Sequence, residues 1–286
     1  MYDWDAQSDR NGTNAHSSWN GAGESMFDER YAGDFHVFGW VHILILTLTI
    51  GSLFGLYYAR GALKRPAVGR TFRYSVAGLI VVLETVFQVW MASRNGFHWE
   101  EFVPLGLCAM MEWITVVALL FDLAGVVKVV IPWAFVGSTL SFIVVNMGTS
   151  YTFPHFRFFH YFAIHWLFLV GNLFYLFTGR FTYTYRDLVR STMWLAGVAA
   201  VVLGIDLVTD QNFMFLRQWP TEMDFVNQLL FFPLNAVLLM LGAFILFNIF
   251  YLAFVIRRFD GSARPSLTAI HDEDEGVVDR THAASL

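Results

Sequence analysis

The stretch Phe102-Val-Pro-Leu-Gly-Leu-Cys-Ala-Met-Met-Glu-Trp113 opens an apolar run that continues to Phe121. It contains the single cysteine of the 286-residue chain, Cys108, and a carboxylate four positions later, Glu112. Side chains at positions i and i+4 lie on the same face of a helix. The run therefore predicts a membrane-spanning helix that carries a thiol and an acid on one face.

The composition of the whole chain is that of a membrane protein. It is 56% hydrophobic and only 14% charged, whereas about 25% of the residues of a soluble domain are charged. A run of about 20 apolar residues crosses a hydrocarbon core ~30 Å thick. Inside lipid a helix satisfies its own backbone groups, and the alternating pattern of a membrane barrel is missing here. We predict an all-α polytopic bundle of about seven transmembrane helices, at 37–58, 74–92, 103–121, 129–147, 158–178, 192–208 and 230–255.

The distribution of Lys and Arg predicts the orientation, because short cytoplasmic loops of membrane proteins are rich in these residues. The loop after the first predicted span carries five of them and no acid. The loop after the fifth span is also basic, and the last span ends in Arg257-Arg258. These loops predict an N-terminus outside the cell, a cytoplasmic C-terminus and a multi-pass protein of the plasma membrane.

Three segments follow from these patterns. Residues 1–36 are polar and acidic and lack the basic start and early apolar core of a cleavable signal, so we expect an extracytoplasmic segment. Residues 37–258 form the transmembrane domain. Residues 259–286, with the run His271-Asp-Glu-Asp-Glu275, are expected to be a disordered acidic tail.

Polar residues within the predicted spans gather at one depth, in the half of the membrane nearest the N-terminus. An ionisable group at the centre of the bilayer costs at least ~2.5 kcal/mol, so such groups usually face a cavity or one another. We therefore predict one polar pocket that opens outward. Its candidate members are His42, Glu84, Cys108, Glu112, Asn146, His165, Asp206 and Asn212. His155 and His160 are interpreted as residues of the membrane interface.

Four motifs carry a resemblance to a known family: Pro104-Leu-Gly-Leu-Cys108, residues 153–165 (FPHFRFFHYFAIH), residues 212–220 (NFMFLRQWP) and Phe232-Pro-Leu-Asn235. In their order and separations the chain resembles the bacterial YwaF-type integral membrane proteins, which are related to the transmembrane protein 164 acyltransferase family. The resemblance implies a multi-span fold and a cysteine-dependent transfer of fatty acyl chains between membrane phospholipids. It also implies that the family's thiol corresponds to Cys108 and its histidine to His165.

The chemistry that such a reaction requires can be assigned to particular residues. A thiol becomes a good nucleophile when a neighbouring base removes its proton, and His165 is the candidate at a compatible depth. An acid that orients the imidazole is available in Glu84, Glu112 or Asp206, and the sequence leaves this choice open. Asn146 or Asn212 is a candidate for stabilising the oxyanion.

Other functions are compatible with the same residues. The polar pocket could belong to a solute transporter, or the polar groups could only fix helix packing in a non-enzymatic membrane protein. A metal-dependent hydrolase that uses His42, His155, His160 and His165 is a further alternative, but the primary hypothesis includes no metal or cofactor. The net charge of −5 gives no reason to expect nucleic-acid binding.

Overall fold

The computed structural model describes residues 26–27, 35–95, 99–145, 152–219 and 232–255. Regular structure in these residues is helical throughout, as the composition predicts. The seven longer helices are α1 (Trp40–Leu63), α2 (Pro66–Asn95), α3 (Leu107–Phe121), α4 (Ala124–Ile143), α5 (Phe156–Thr178), α6 (Tyr185–Thr209) and α7 (Leu234–Phe250). The prediction of a polytopic helix bundle is confirmed. Its orientation in the membrane stays a prediction.

Six of these helices are long and apolar enough to cross a membrane, and α3 is the exception. Its 15 residues extend over ~22 Å. The predicted start of this span, at residue 103, is wrong by four residues. Pro104 lacks a backbone N–H and holds the preceding residue in an extended conformation, so α3 begins only after Gly106, its extended N-cap residue.

Several helices begin earlier than their predicted spans, and the difference is largest for two of them. Helix α2 starts at Pro66 rather than 74, and α6 starts at Tyr185 rather than 192. Charged residues in the added turns are used by the fold. A capping box between Thr184 and Asp187 begins α6, and Arg73 of α2 donates a 2.6 Å hydrogen bond to the Leu119 carbonyl. Hydropathy alone underestimates such helix ends.

Helix α5 is the centre of the bundle. It packs against α1, α2, α3 and α4, while α6 and α7 pack on the far side of α4. Its aromatic side chains Phe158, Phe168 and Phe174 are almost completely buried. Successive helices run in opposite directions, so the end of α2 and the start of α5 lie at the same end of the bundle. We call this the site end. The opposite end, with the α1–α2 turn, is the basic end.

Gly171 allows α5 to approach its neighbours closely. A Cβ at this position would lie 3.0 Å from Thr115 Cγ2 and 3.1 Å from Leu119 Cδ1, both on α3, and 3.5 Å from Val76 Cγ1 on α2. In membranes such small residues permit the close packing that holds helices together. This contact fixes the α2–α3–α5 unit that carries most of the candidate site.

Replacing Gly171 with leucine should therefore loosen that unit. We expect a loss of about 1–3 kcal/mol in the free energy of unfolding, because the added side chain overpacks the contact. The measurement is thermal unfolding in detergent micelles, followed by helical circular dichroism. Gly197 on α6 has open space around its Cα, so Gly197→Leu is the matched control. An equal loss in both variants would contradict this role for Gly171.

Most of the predicted terminal segments, 1–36 and 259–286, lies outside the described residues. The exception that bears on the site is Met26–Phe27. The Met26 carbonyl accepts a 2.9 Å hydrogen bond from the Phe156 amide at the start of α5. The Phe27 carbonyl accepts one of 2.8 Å from Trp90 Nε1 on α2. This short piece therefore packs on the site end.

Candidate functional site

Cys108 lies in the first turn of α3, at the site end of the bundle. Its side chain is partly exposed, and its Sγ lies 4.0 Å from Ser141 Oγ on α4. The Ser141 carbonyl accepts a 3.0 Å hydrogen bond from the Tyr161 hydroxyl of α5. The thiol is thus placed where α3, α4 and α5 meet.

Two carboxyl groups lie directly beside this position. Glu112 follows Cys108 by one turn and interacts electrostatically with the thiol. Its carboxyl group is within hydrogen-bonding reach of Glu84 on α2. Both acids are almost completely buried, at 6% and 5% exposure. The two acids therefore lie close together where α2 packs against α3.

Glu84 is held from two further directions. One carboxylate oxygen accepts a 2.7 Å hydrogen bond from Gln88 Nε2. The other lies 3.2 Å from His160 Nε2 on α5. His160 is 7% exposed and its ring stacks on Phe87 with a centroid separation of 4.1 Å. His160 is therefore a buried partner of the acid pair; its predicted depth near the membrane interface stays a prediction.

His165 is buried one turn deeper in α5. Its Nδ1 lies 2.6 Å from the Tyr161 carbonyl, and a carbonyl can only accept. In the neutral ring the proton is therefore on Nδ1, and Nε2 keeps the lone pair. The His165 carbonyl accepts a 3.1 Å hydrogen bond from Ser138, one turn from Ser141 on α4. Within the described residues no hydrogen bond joins His165 to Cys108; the backbone carbonyl of His165 and the Cys108 thiol contact consecutive turns of α4.

His42 is placed elsewhere, between α1 and α4. It is fully buried, its Nε2 lies 2.7 Å from the Phe142 carbonyl, and its Nδ1 accepts a 2.9 Å hydrogen bond from the Phe38 amide. Both ring nitrogens are thus engaged with the backbone. This histidine joins the start of α1 to the end of α4.

Asp206 and Asn212 belong to a separate cluster at the end of α6. Asp206 is fully buried, and its Oδ1 accepts a 2.9 Å hydrogen bond from the Phe213 amide. The Asn212 side chain accepts from the Arg217 amide and donates to the Gln218 carbonyl. Asn235 at the start of α7 then donates to the Arg217 carbonyl. Two of the sequence motifs therefore meet in this loop, where they hold the chain in shape.

Two other expectations from the sequence concern Asn146 and a metal site. Asn146, a candidate for the oxyanion, lies outside the described residues. Among the residues that the structure describes, no group of three or more His, Cys, Asp or Glu side chains is arranged to hold a metal ion.

Sequence reasoning alone did not predict the partners Ser141, Tyr161 and His160. Ser141 and Tyr161 are ordinary residues for an apolar run. His160 stands five positions from both His155 and His165, a spacing that puts it on a different helix face from either. The one signal in the sequence is Glu84 itself. Its own helix offers only Gln88 as a polar partner, so a buried Glu84 required a further partner from another helix.

The model of one protein family, described as the TMEM164 family, matches residues 37–252. The chain belongs to the TMEM164 family. The match begins just before α1 and ends within the π-helical turn after α7, so it includes every residue of the thiol and acid clusters. This confirms the relation to transmembrane protein 164 that the motifs predicted. No match was found among curated proteins or among solved structures. With its six long apolar helices, this TMEM164-family member is a multi-pass membrane protein.

Proposed function

We propose that this protein is a cysteine-dependent phospholipid acyltransferase or lipase of the plasma membrane. The observation that carries the proposal is the position of Cys108: the only thiol of the chain lies at the start of a membrane helix, partly exposed, beside a hydroxyl group and a buried acid pair. The predicted orientation puts this end of the bundle in the outer leaflet, so the ester bonds of outer-leaflet phospholipids are the substrates.

The first turn of α3 offers backbone amide groups to a thiolate, and these act against the effects of desolvation and of the nearby Glu112 carboxyl group, which disfavour an anion. The Gly106 N-cap supplies no side-chain hydrogen bond, so amide groups of the first turn keep their donors. Those donors, and the positive end of the helix dipole, stabilise an anion there. Cysteines at helix N-termini are accordingly among the reactive ones.

His165 is the base in this proposal. Its Nδ1 is bonded to the Tyr161 carbonyl, which leaves Nε2 as the nitrogen that can take the thiol proton. In support of this role, the His165 backbone carbonyl accepts from Ser138 and the Cys108 sulfur lies near Ser141, one turn away on α4. In this proposal the Tyr161 carbonyl orients the imidazole in place of an acid, because Glu84 pairs with His160 and Asp206 is engaged in the α6 loop.

The reaction then proceeds in two steps. The Cys108 sulfur attacks the carbonyl carbon of a phospholipid ester, and its proton passes to His165. The ester C–O bond breaks, the leaving lysophospholipid oxygen takes the proton, and a thioester remains on Cys108. In the second step the hydroxyl group of a lysophospholipid, or water, gives its proton to His165 and attacks the thioester, which restores the thiol. Ser141 is the donor best placed for the oxyanion, because the Asn212 amide is already used.

Thiol labelling tests the proposal directly. Because the chain has one cysteine, reaction with a long-chain alkyl maleimide reports on Cys108 alone. We expect labelling in detergent micelles, and we expect added diacyl phospholipid to slow it by acylating or covering the thiol. Glycerol phosphate, a water-soluble phosphate ester without acyl chains, is the matched control and should not slow the labelling of Cys108. A labelling rate that does not change when phospholipid is added would contradict the proposal.

A non-enzymatic membrane protein is the second candidate. It is favoured by the number of polar groups that already have partners, namely His42, Glu84, His160 and Asn212. In that case the polar clusters fix the packing of the helices. A folded Cys108→Ala variant that behaves like the wild-type protein in every functional assay would favour this alternative.

A further inference from the structure

A second polar feature lies at the opposite end of the molecule, in the turn between α1 and α2. Lys64, Arg65 and Arg70 are exposed there, and they make no ion pair with the described residues. No acidic residue occurs between Arg60 and Arg73. The positive charge of the turn is therefore not neutralised by its own segment.

The neighbouring loops do not neutralise it either. Asp122, at the end of α3, is the nearby carboxylate, and it is already shared by two arginines. Arg180 Nη1 lies 2.6 Å from it and Arg73 Nη2 lies 3.4 Å from it. Arg180 also lies next to the turn, since its Nη2 would be 3.7 Å from a Cβ built at Gly69. With two arginines sharing one carboxylate, the neighbouring groups leave an excess of positive charge here.

The exposed side chains of α1 change from apolar to cationic toward the basic end of the bundle. Phe54 is 60% exposed and Tyr58, four residues later on the same face, is 77% exposed. Lys64 and Arg65 follow at the end of the helix. These residues span ~15 Å along the axis. The order of apolar ring, phenol and cations matches the order of acyl chain, glycerol ester and phosphate in a phospholipid.

We propose that the α1–α2 surface, formed by Phe54, Tyr58, Lys64, Arg65 and Arg70, binds an anionic phospholipid. Cations next to a membrane surface attract anionic headgroups. The surface offers three unpaired cations to the phosphate and no carboxylate to an ammonium group, which favours an anionic over a zwitterionic headgroup. This inference is independent of the proposed acyl transfer, because it concerns the opposite end of the bundle.

The test uses the full-length protein in neutral detergent, titrated with phosphatidylglycerol or phosphatidylcholine, with bound lipid counted by native mass spectrometry. The variant K64Q/R65Q/R70Q should bind phosphatidylglycerol about 100-fold more weakly, since each cation contributes about fivefold. Its affinity for phosphatidylcholine should stay at the wild-type value. R186Q/R190Q is the matched control, because it removes exposed arginines of α6 at the same end and should retain phosphatidylglycerol binding. Circular dichroism establishes that each variant is folded.

Three results would overturn the proposal. The first is unchanged phosphatidylglycerol binding in a folded K64Q/R65Q/R70Q variant. The second is an equal loss of affinity per removed charge in R186Q/R190Q, which would indicate general attraction rather than this surface. The third is displacement of the bound lipid by a peptide of residues 268–280, whose acidic run would then be the occupant of the α1–α2 surface.

Discussion

Acyl exchange is expected to fall to background in the Cys108→Ser variant and by about 10²- to 10⁴-fold in His165→Ala. A serine hydroxyl keeps the size of the thiol but is a far weaker nucleophile without strong activation. Loss of a general base typically costs the stated range. The measurement is transfer of a labelled fatty acyl chain from phospholipid to lysophospholipid in vesicles that contain the purified protein.

Two controls separate lost chemistry from lost structure. Ala109→Ser introduces a hydroxyl group at the neighbouring position of α3 and should leave the rate unchanged. His36→Ala replaces an exposed histidine at the site end and should also leave it unchanged. Wild-type exchange by folded Cys108→Ser and His165→Ala variants would exclude the proposed catalytic pair, whereas equal losses in the controls would indicate a general effect on the fold.

The fold could be predicted from the sequence because the membrane imposes a simple length rule on apolar runs. The deviations occur where side-chain pairing overrides hydropathy. Arg73 lies inside α2 because its guanidinium group reaches the Leu119 carbonyl, and α6 begins at Tyr185 because Thr184 and Asp187 cap it. Helix α3 is instead shorter than its apolar run, because Pro104 delays the start of the helix until after Gly106. Each exception depends on a particular residue rather than on average polarity.

The candidate site could be predicted only in part, because position along a helix gives depth but not the neighbouring helix. Cys108 and Glu112 lie one turn apart in α3, as their spacing predicts. Glu84 was also expected nearby. However, His42 and Asp206 lie at similar depths and bind other partners, the Phe142 carbonyl and the Phe213 amide. The single predicted pocket is thus resolved into separate clusters.

The Glu84–His160 pair should contribute more to stability than any other polar contact at the site end. Both partners are almost completely buried, and their side chains lie 3.2 Å apart. His160→Leu would leave Glu84 facing a second carboxyl group without its nitrogen partner. Leaving a buried polar group without its hydrogen-bond partner typically costs about 1–3 kcal/mol, so we expect a loss of this size in the free energy of unfolding. Phe87→Leu removes the ring that contacts His160, Trp90 and Arg157 but keeps both polar partners, and it should cost less.

A double-mutant cycle distinguishes this pair from simple loss of packing. Glu84→Leu and His160→Leu are measured singly and together by unfolding in detergent micelles. Contacting residues show interaction energies of about 0.5–3 kcal/mol. We expect the double variant to be more stable than the sum of the single losses predicts, because an apolar pair leaves no uncompensated group between α2 and α5. Strictly additive losses would mean that the two side chains contribute independently. Since His160 also borders the acid pair beside Cys108, a coupled result would establish that the same contact fixes α2 and α5 around the thiol.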